Sequence, residues 1–183
     1  MGHHRRRPEI NHGTVLREEI DDILHFARYA EVVYTPEEIN MIYSDRLHFH
    51  SNDNGIYKSP FLIVHDVDTD SIVIAIRGTY SAADVLVDLK FDVMPLSIPE
   101  LEGEEEEHLA HSGFMHTANN IVGDIRRLNI LGPLLNDPSS EFYGCSLVVT
   151  GHSWELEWLL WLRIFFAMIF RPRVVMRLNL QVV

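Results

Sequence analysis

The chain of 183 residues contains a single cysteine, Cys145. One cysteine excludes an intramolecular disulfide and is typical of proteins from a reducing compartment. Because Cys145 directly precedes an apolar run, we predict that it is a buried packing residue rather than a reactive thiol.

Basic residues and long apolar runs are also scarce. The chain has 15 Lys and Arg against 27 Asp and Glu, a formal net charge of -12. Nucleic-acid binding needs clustered cations, so this balance argues against a nucleic-acid partner. The longest apolar stretch, 158–170, is interrupted by Arg163 and is shorter than the roughly 20 residues of a membrane span. The basic segment 1–15 lacks the apolar core of a signal peptide, and we interpret it as a solvated tail.

Patterns typical of metal sites are weak. Glu104 to Glu107 lie in an acidic stretch, Ser97–His108, but a calcium-binding EF-hand alternates its ligands and includes a glycine turn. We interpret this stretch as a solvated loop. His48, His50 and His65 are zinc-ligand residue types, but no second pair has ligand spacing. The sequence therefore predicts no metal site.

Helical patterns occupy the first part of the chain. Apolar residues recur at three- and four-residue steps from Leu16 to Tyr34, which predicts an amphipathic helix. Thr35 and Pro36 have the form of an N-cap followed by proline at the first helical position, so a second helix should run to Ile42. We interpret His48–Lys58 as a polar, turn-rich connection.

Two short runs, Ser71–Ile76 and Ser146–Thr150, are continuously apolar and rich in β-branched residues. Such runs are typical of strands covered on both faces, as in parallel sheets. Phe61–His65 is a third apolar run, and Ser81–Leu89 and Ser112–Leu131 have helical spacing. Strands that alternate with helices predict an α/β fold with a mainly parallel sheet and flanking helices.

The strand Ser146–Thr150 leads directly into Gly151-His152-Ser153. A nucleophile elbow consists of a strand, a sharp turn that exposes a serine, and a helix, with the usual pattern G-x-S-x-G. Gly151 and Ser153 fit this pattern, but Glu155 stands where the second glycine belongs. The tripeptide alone is therefore a weak signal.

A second turn in the sequence supports the prediction of a nucleophile elbow. Arg77-Gly78-Thr79 follows the other buried strand, where an α/β-hydrolase places one backbone donor of its oxyanion hole. A tetrahedral intermediate needs two N–H groups directed at its oxygen. The second would come from Trp154, the residue after the candidate nucleophile.

Five segments, in order and spacing over residues 16 to 153, together resemble the fungal-type (class 3) lipases, and among them the diacylglycerol lipases. The segments are Arg28-Tyr29-Ala30 with Tyr34; Ile72–Ile76 with Arg77-Gly78-Thr79; Ser81 with Asp84 and Asp88-Leu89; His111-Ser112-Gly113-Phe114; and Val148-Val149-Thr150-Gly151-His152-Ser153.

The resemblance implies a role for each residue of the site. Ser153 is the nucleophile, Thr79 is the oxyanion-hole residue, and Trp154 supplies the second oxyanion N–H. Asp84 ties the oxyanion loop to its helix, and His111 lies beneath the site. We interpret His111 and His152 as structural histidines rather than catalytic ones. The supporting residues are Gly78, Asp84, His111, Gly151 and His152.

The resemblance also implies an activity, namely hydrolysis of the sn-1 ester of a diacylglycerol to a 2-monoacylglycerol and a fatty acid. The expected partner is a lipid substrate, met at a membrane surface on the cytoplasmic face. No cofactor is expected, although the resemblance leaves calcium open. The implied architecture is an α/β-hydrolase fold that is incomplete at the C-terminus.

The pattern breaks immediately after Ser153. A serine nucleophile needs a histidine base and a carboxylate that orients it, and the chain order in this fold is Ser, Asp, His. No Asp and no His follow Ser153 in this chain. We therefore divide the chain into a basic tail, 1–15, the N-terminal part of a lipase domain, 16–153, and an aberrant apolar tail, 154–183.

The genetic code offers a reason for the break. Trp154 is encoded only by TGG, and Glu155 only by GAA or GAG. A shift of one base regroups these letters as Leu, Met or Val followed by an obligatory Gly. The shifted frame admits Gly-His-Ser-Leu-Gly-Ala-Gly-Val-Ala, so the missing glycine returns. We hypothesise that one nucleotide was lost, or a splice boundary displaced, after the Ser153 codon. The other explanation is that residues 154–183 are encoded by a genuine alternative exon.

Three functions remain in competition. The first is a serine lipase acting on diacylglycerol, with this chain inactive as it stands. The second is a non-catalytic truncated homologue that binds lipid or a partner, and the third is a class 3 esterase with a soluble substrate. The missing base favours the second for this chain, whereas the motifs favour the first for the gene.

Overall fold

A computed structural model of the chain describes residues 17–78, 93–95, 109–152 and 178–181. The elements in chain order are α1 (Arg17–Val32), α2 (Pro36–Tyr43), β1 (Leu47–Ser51), β2 (Phe61–Asp66), β3 (Ser71–Ile76), β4 (Val93–Pro95), β5 (Leu109–His111), α3 (Ser112–Leu128), α4 (Leu131–Asn136), β6 (Ser146–His152) and β7 (Leu178–Gln181). The expected tail 1–15, helix Ser81–Leu89 and acidic loop Ser97–His108, and residues 154–177, lie outside the described residues.

The first two helices confirm the prediction from periodicity. α1 and α2 end within two residues of the expected positions, and Thr35 is the N-cap of α2 with Pro36 beside it. The Thr35 hydroxyl donates to the Val32 carbonyl oxygen at 3.2 Å instead of capping α2. Thr35 therefore closes the end of α1, and proline sets the start of α2.

Five strands form one mixed sheet in the order β1-β2-β3-β6-β7. β1, β2 and β3 pair antiparallel, whereas β3, β6 and β7 pair parallel. The reason lies in the connections: a four-residue turn, 67–70, joins β2 to β3, and parallel neighbours need a crossover of a dozen or more residues. The α/β expectation is confirmed; the sheet is mixed, and among the described strands β3, β6 and β7 pair in parallel.

Four strands were not expected from the sequence: β1, β4, β5 and β7. β1 occupies the start of the segment interpreted as a polar connection, so that interpretation is wrong for 48–51. All five β1 residues are half-buried at the edge of the sheet, and two histidines within the strand conceal its pattern. β7 falls inside the tail 154–183, and its backbone pairs with Val149–His152.

Both faces of β3 are covered by helices. The residues from Ile72 to Ile76 are all 0% exposed, which requires packing on each side. Ile72, Ile74 and Ile76 contact the apolar sides of α3 and α4, and Val73 and Ala75 contact those of α1 and α2. The fold is therefore a three-layer α/β/α arrangement, as expected for a continuously apolar strand.

A buried carboxylate joins α1 to the end of β2. Asp66 is 0% exposed, and its two oxygens accept hydrogen bonds from Tyr29 Oη at 2.8 Å, Thr69 Oγ1 at 2.6 Å and His25 Nε2 at 2.5 Å. Arg28 Nη2 lies 3.3 Å from the same carboxylate. Arg28 and Tyr29, two residues of the lipase-like Arg-Tyr-Ala segment, therefore fasten the helix to the sheet.

This network makes the stability of the fold depend on pH. Burial by itself raises the pKa of Asp66, but the hydrogen bonds from Thr69, His25 and Tyr29 outweigh it and hold that pKa below its ordinary value. A carboxyl group whose pKa is lower in the folded chain than in the unfolded chain stabilises the fold at neutral pH. This stabilisation is lost as the pH falls below about 3.9 and through the folded pKa.

We expect Asp66→Asn to lower the free energy of unfolding by about 1.5–3 kcal/mol at pH 7, because hydrogen bonds to a charged group are lost from a buried site. The substitution should also reduce the fall in stability between pH 5 and 3, since the group that titrates is gone. Urea unfolding across this pH range measures both effects. The control is Asp68→Asn, because Asp68 pairs with Arg28 but its side chain is 68% exposed. Equal loss in the two variants would contradict the assignment.

Candidate active site

The residues predicted for the site follow closely after β3 and β6 in the sequence. The two strands pair in parallel and in register, from Ser71 opposite Ser146 to Ile76 opposite Gly151. Parallel strands end at the same edge of a sheet, so the turns that follow them leave from one edge. This confirms that the two apolar runs are buried neighbours in one sheet.

Three hydrogen bonds fix the turn after β3. The buried Arg77 donates its backbone N–H to the Pro60 carbonyl oxygen at 2.9 Å, and its own carbonyl accepts from Ser59 Oγ at 3.0 Å. Its guanidinium donates to Asn54 Oδ1 at 2.7 Å. These bonds tie the turn to the loop that precedes β2.

Tyr34 fixes the next residue of the turn. The backbone N–H of Gly78 donates to the Tyr34 hydroxyl at 3.0 Å. Tyr34 lies between α1 and α2, so one hydrogen bond connects the helical layer with the candidate oxyanion turn. The sequence included Tyr34 among the lipase-like residues, but periodicity alone does not indicate this contact across 44 residues.

The turn after β6 begins from a buried position. Gly151 is buried and lies between two strands, opposite Ile76 of β3 and Leu180 of β7. His152 continues the β6 backbone and pairs with Gln181. β6 ends at His152, and Ser153 is the next residue in the sequence.

Several predicted site residues lie beyond what the structure describes. Thr79, Asp84, Ser153 and Trp154 lie outside the described residues, so their roles stay predictions. The backbone of His111 is described: it ends β5 opposite Val93, directly before α3. Its assignment as a residue beneath the site also stays a prediction.

Cys145 lies at the opposite edge, before β6. It is 8% exposed, as expected for a packing residue. Burial, together with a hydrogen bond to Asp70 and the nearby Asp70 charge, raises the pKa of the Cys145 thiol to about 11. A thiol with a raised pKa is a poor nucleophile at neutral pH, because the thiolate is the reactive form.

The three histidines considered for zinc do not form a ligand group among the described residues. Instead, His65 lies with Asp70 and Cys145. His48 and His65 both pack edge-on against the ring of Phe142, with centroids 4.9 Å away in each case. Spacing along the chain does not indicate these groupings, because they join residues from different strands and turns.

In the part of the chain that the structure describes, no helix has the length and apolar character needed to cross a membrane.

Comparison with known proteins places the chain among lipases, although no known family profile matches it. It is 33% identical over 129 residues to mouse diacylglycerol lipase-beta, which covers 70% of this chain and 18% of that protein. It is 32% identical over 108 residues to human diacylglycerol lipase-alpha, covering 57% of this chain and 10% of the relative. The chain thus spans less than a fifth of the length of these curated relatives.

Solved structures show the same fold. The triacylglyceride lipase of Rhizomucor miehei superposes with a TM-score of 0.63 at 17% identity, over 89% of this chain and 61% of that one. The Lip2 lipase of Yarrowia lipolytica superposes with a TM-score of 0.62 at 20% identity, over 89% and 60% of the two chains. The fold and the sequence together confirm the resemblance: the chain belongs to the fungal-type lipase family of α/β-hydrolase fold, close to the diacylglycerol lipases.

Proposed function

We propose that the gene encodes a serine ester hydrolase of the lipase type, with Ser153 as its nucleophile. The observation that carries this proposal is the in-register parallel pairing of β3 with β6. It places the carboxyl ends of the two strands at one edge of the sheet, and the predicted segments Arg77-Gly78-Thr79 and Gly151-His152-Ser153 lie at these ends in the sequence. A nucleophile and an oxyanion-hole donor must meet at such an edge for acyl transfer.

The assignment of Thr79 as the oxyanion-hole residue rests on the family resemblance. The N–H groups of the two preceding residues, Arg77 and Gly78, are donated to Pro60 and to Tyr34. These two bonds hold the backbone that leads to Thr79. In this proposal its N–H and that of Trp154 stabilise the negative oxygen that develops when Ser153 attacks the acyl carbon. Removal of one such donor costs about 10²–10³ in kcat.

The remaining residues support this arrangement. We assign Asp84 to hold the oxyanion turn to its helix and His111 to lie beneath the site, each as the family resemblance implies. Gly78 follows β3, and Gly151 and His152 are the last two residues of β6.

The proposed substrate is the sn-1 ester of a diacylglycerol, which would be cleaved to a 2-monoacylglycerol and a fatty acid. Support comes from the two diacylglycerol lipases that the chain resembles at 32–33% identity. Such a substrate resides in a membrane, so we place the active enzyme at a membrane surface on the cytoplasmic side. No cofactor is part of the proposed chemistry.

The chain as written lacks part of this machinery, and this supports a second proposal. Residues 154–183 contain no Asp and no His, so these residues do not supply the base and its orienting carboxylate. The chain itself then acts as a non-catalytic homologue that binds lipid or a partner. The loss of one nucleotide after the Ser153 codon would reconcile both proposals, because the gene would then encode an active enzyme while this chain is inactive.

We expect the chain as written to have no useful esterase activity and a frame-restored chain to hydrolyse both a p-nitrophenyl ester and diacylglycerol. Without a base, the oxyanion hole and substrate binding alone accelerate hydrolysis by roughly 10³–10⁴ over water, far below a working lipase. Transcript sequencing across the Ser153 codon, followed by assay of both chains, provides the test.

Ser153→Ala in the restored chain is the control and should abolish both activities. Ser153-dependent turnover by the chain as written would contradict the prediction. A restored frame that meets a stop codon before any Asp and His would contradict it as well.

In the restored enzyme, Tyr34→Phe should lower kcat by about tenfold and leave KM nearly unchanged, because the hydroxyl positions Gly78 and therefore the oxyanion donor that follows it. The matched control is Tyr143→Phe, since Tyr143 is 49% exposed and lies in the connection before β6. Steady-state kinetics on a soluble ester separates the two constants. A change in KM alone, or the same kcat loss in Tyr143→Phe, would show that Tyr34 does not position the turn.

A further inference from the structure

Three metal-ligating side chains meet at the edge of the sheet where β3 and β6 begin. His65 belongs to β2, Asp70 to the turn between β2 and β3, and Cys145 directly precedes β6. Asp70 Oδ1 lies 3.3 Å from His65 Nε2 and 3.4 Å from Cys145 Sγ. The ligand atoms of all three residues lie within 4.8 Å of one another.

These separations are close to those of ligands that share one zinc ion. Bonds of about 2.1 Å to nitrogen and oxygen and about 2.3 Å to sulfur, set at tetrahedral angles, separate neighbouring ligand atoms by roughly 3.4–3.6 Å. The two distances to the Asp70 carboxylate are therefore nearly those of a formed site. The ligand atoms of His65 and Cys145 lie within 4.8 Å of each other, so an approach of at most about 1.2 Å completes the third edge.

We propose that His65, Asp70 and Cys145 bind a zinc ion, with water as the fourth ligand. The set combines one imidazole, one carboxylate and one thiol, the three side-chain types that zinc accepts. The Cys145 thiol would lose its proton on binding, so the thiolate and the carboxylate together would balance the two positive charges.

Burial divides the site into a closed side and an open side. Cys145 is 8% exposed and the His65 side chain 18%, whereas the Asp70 side chain is 80% exposed. The metal would enter past Asp70, and its water would lie on that side. The backbones of His65 and Cys145 are held in place: the His65 N–H donates to Arg46 and the Cys145 N–H to Phe142.

The neighbouring group of His25, Asp66 and Asp68 shows the contrast. There, the Arg28 guanidinium lies 3.3 Å from Asp66 and 3.1 Å from Asp68, so a cation already occupies the position between the carboxylates. Among His65, Asp70 and Cys145 no cationic side chain makes such a contact within the described residues, apart from His65 itself if protonated. The group of His65, Asp70 and Cys145 is therefore the one suited to a metal ion.

The single cysteine makes the test specific. The full chain, purified in detergent after treatment with a chelator, is titrated with Co²⁺ and then with Zn²⁺. A thiolate bound to Co²⁺ produces an intense charge-transfer absorption, and in this chain it can arise only from Cys145. We expect this band to reach its maximum at one equivalent, to disappear on addition of Zn²⁺, and to be absent from Cys145→Ser. Zinc should also raise the Tm.

His65→Gln and Asp70→Asn keep the thiol and test the other two ligands. Each should weaken zinc binding at least about tenfold, while circular dichroism shows that the chain remains folded. The matched controls are His116→Gln, an exposed histidine, and Asp45→Asn, whose side chain is 80% exposed like that of Asp70.

Two results would overturn the proposal. One is the absence of a charge-transfer band at saturating Co²⁺. The other is zinc binding without that band, which would place the metal on other ligands among the 11 histidines of the chain.

Discussion

The parallel pairing of β3 with β6 is the constraint on which the rest of the structure depends. All six residues of β3 find a partner on β6, from Ser71 to Ile76. Because the apolar residues of β3 are fully buried, helices must cover both faces of the pair, which produces the three layers. The same pairing gives the sheet a direction, with the carboxyl ends of β3 and β6 at one edge and Cys145 at the other.

The polar contacts at the two ends of β3 and β6 differ for a physical reason. Where the strands end, Arg77 and Gly78 bond mainly to backbone groups and to neutral side chains, and these bonds position a turn. At the amino edge, the buried Asp66 must be compensated by donors, because an unpaired charge in the core costs several kcal/mol. Arg28 and Tyr29 of the Arg-Tyr-Ala segment supply two of these donors. Part of the segment that resembles the lipases therefore stabilises the fold.

The structure separates what a lipase needs for folding from what it needs for catalysis. The chain superposes on fungal lipases over 89% of its length, and β7 adds a parallel neighbour to β6. Yet a serine has no basicity of its own, and residues 154–183 contain no histidine. A lipase-like sheet is therefore compatible with both proposals, the hydrolase encoded by the gene and a non-catalytic chain.

The sequence by itself determined the elements whose signal is local. The apolar runs of β3 and β6, the periodicity of α1 and the Thr35-Pro36 start of α2 depend on neighbouring residues, and all were predicted close to their observed bounds. Tertiary structure decided what depends on distant residues: the edge strand β1, the bond between Tyr34 and Gly78, and the grouping of His65 with Asp70 and Cys145. A half-buried edge strand bears no clear apolar pattern, and contacts across tens of residues arise only when the sheet sets which strands are neighbours.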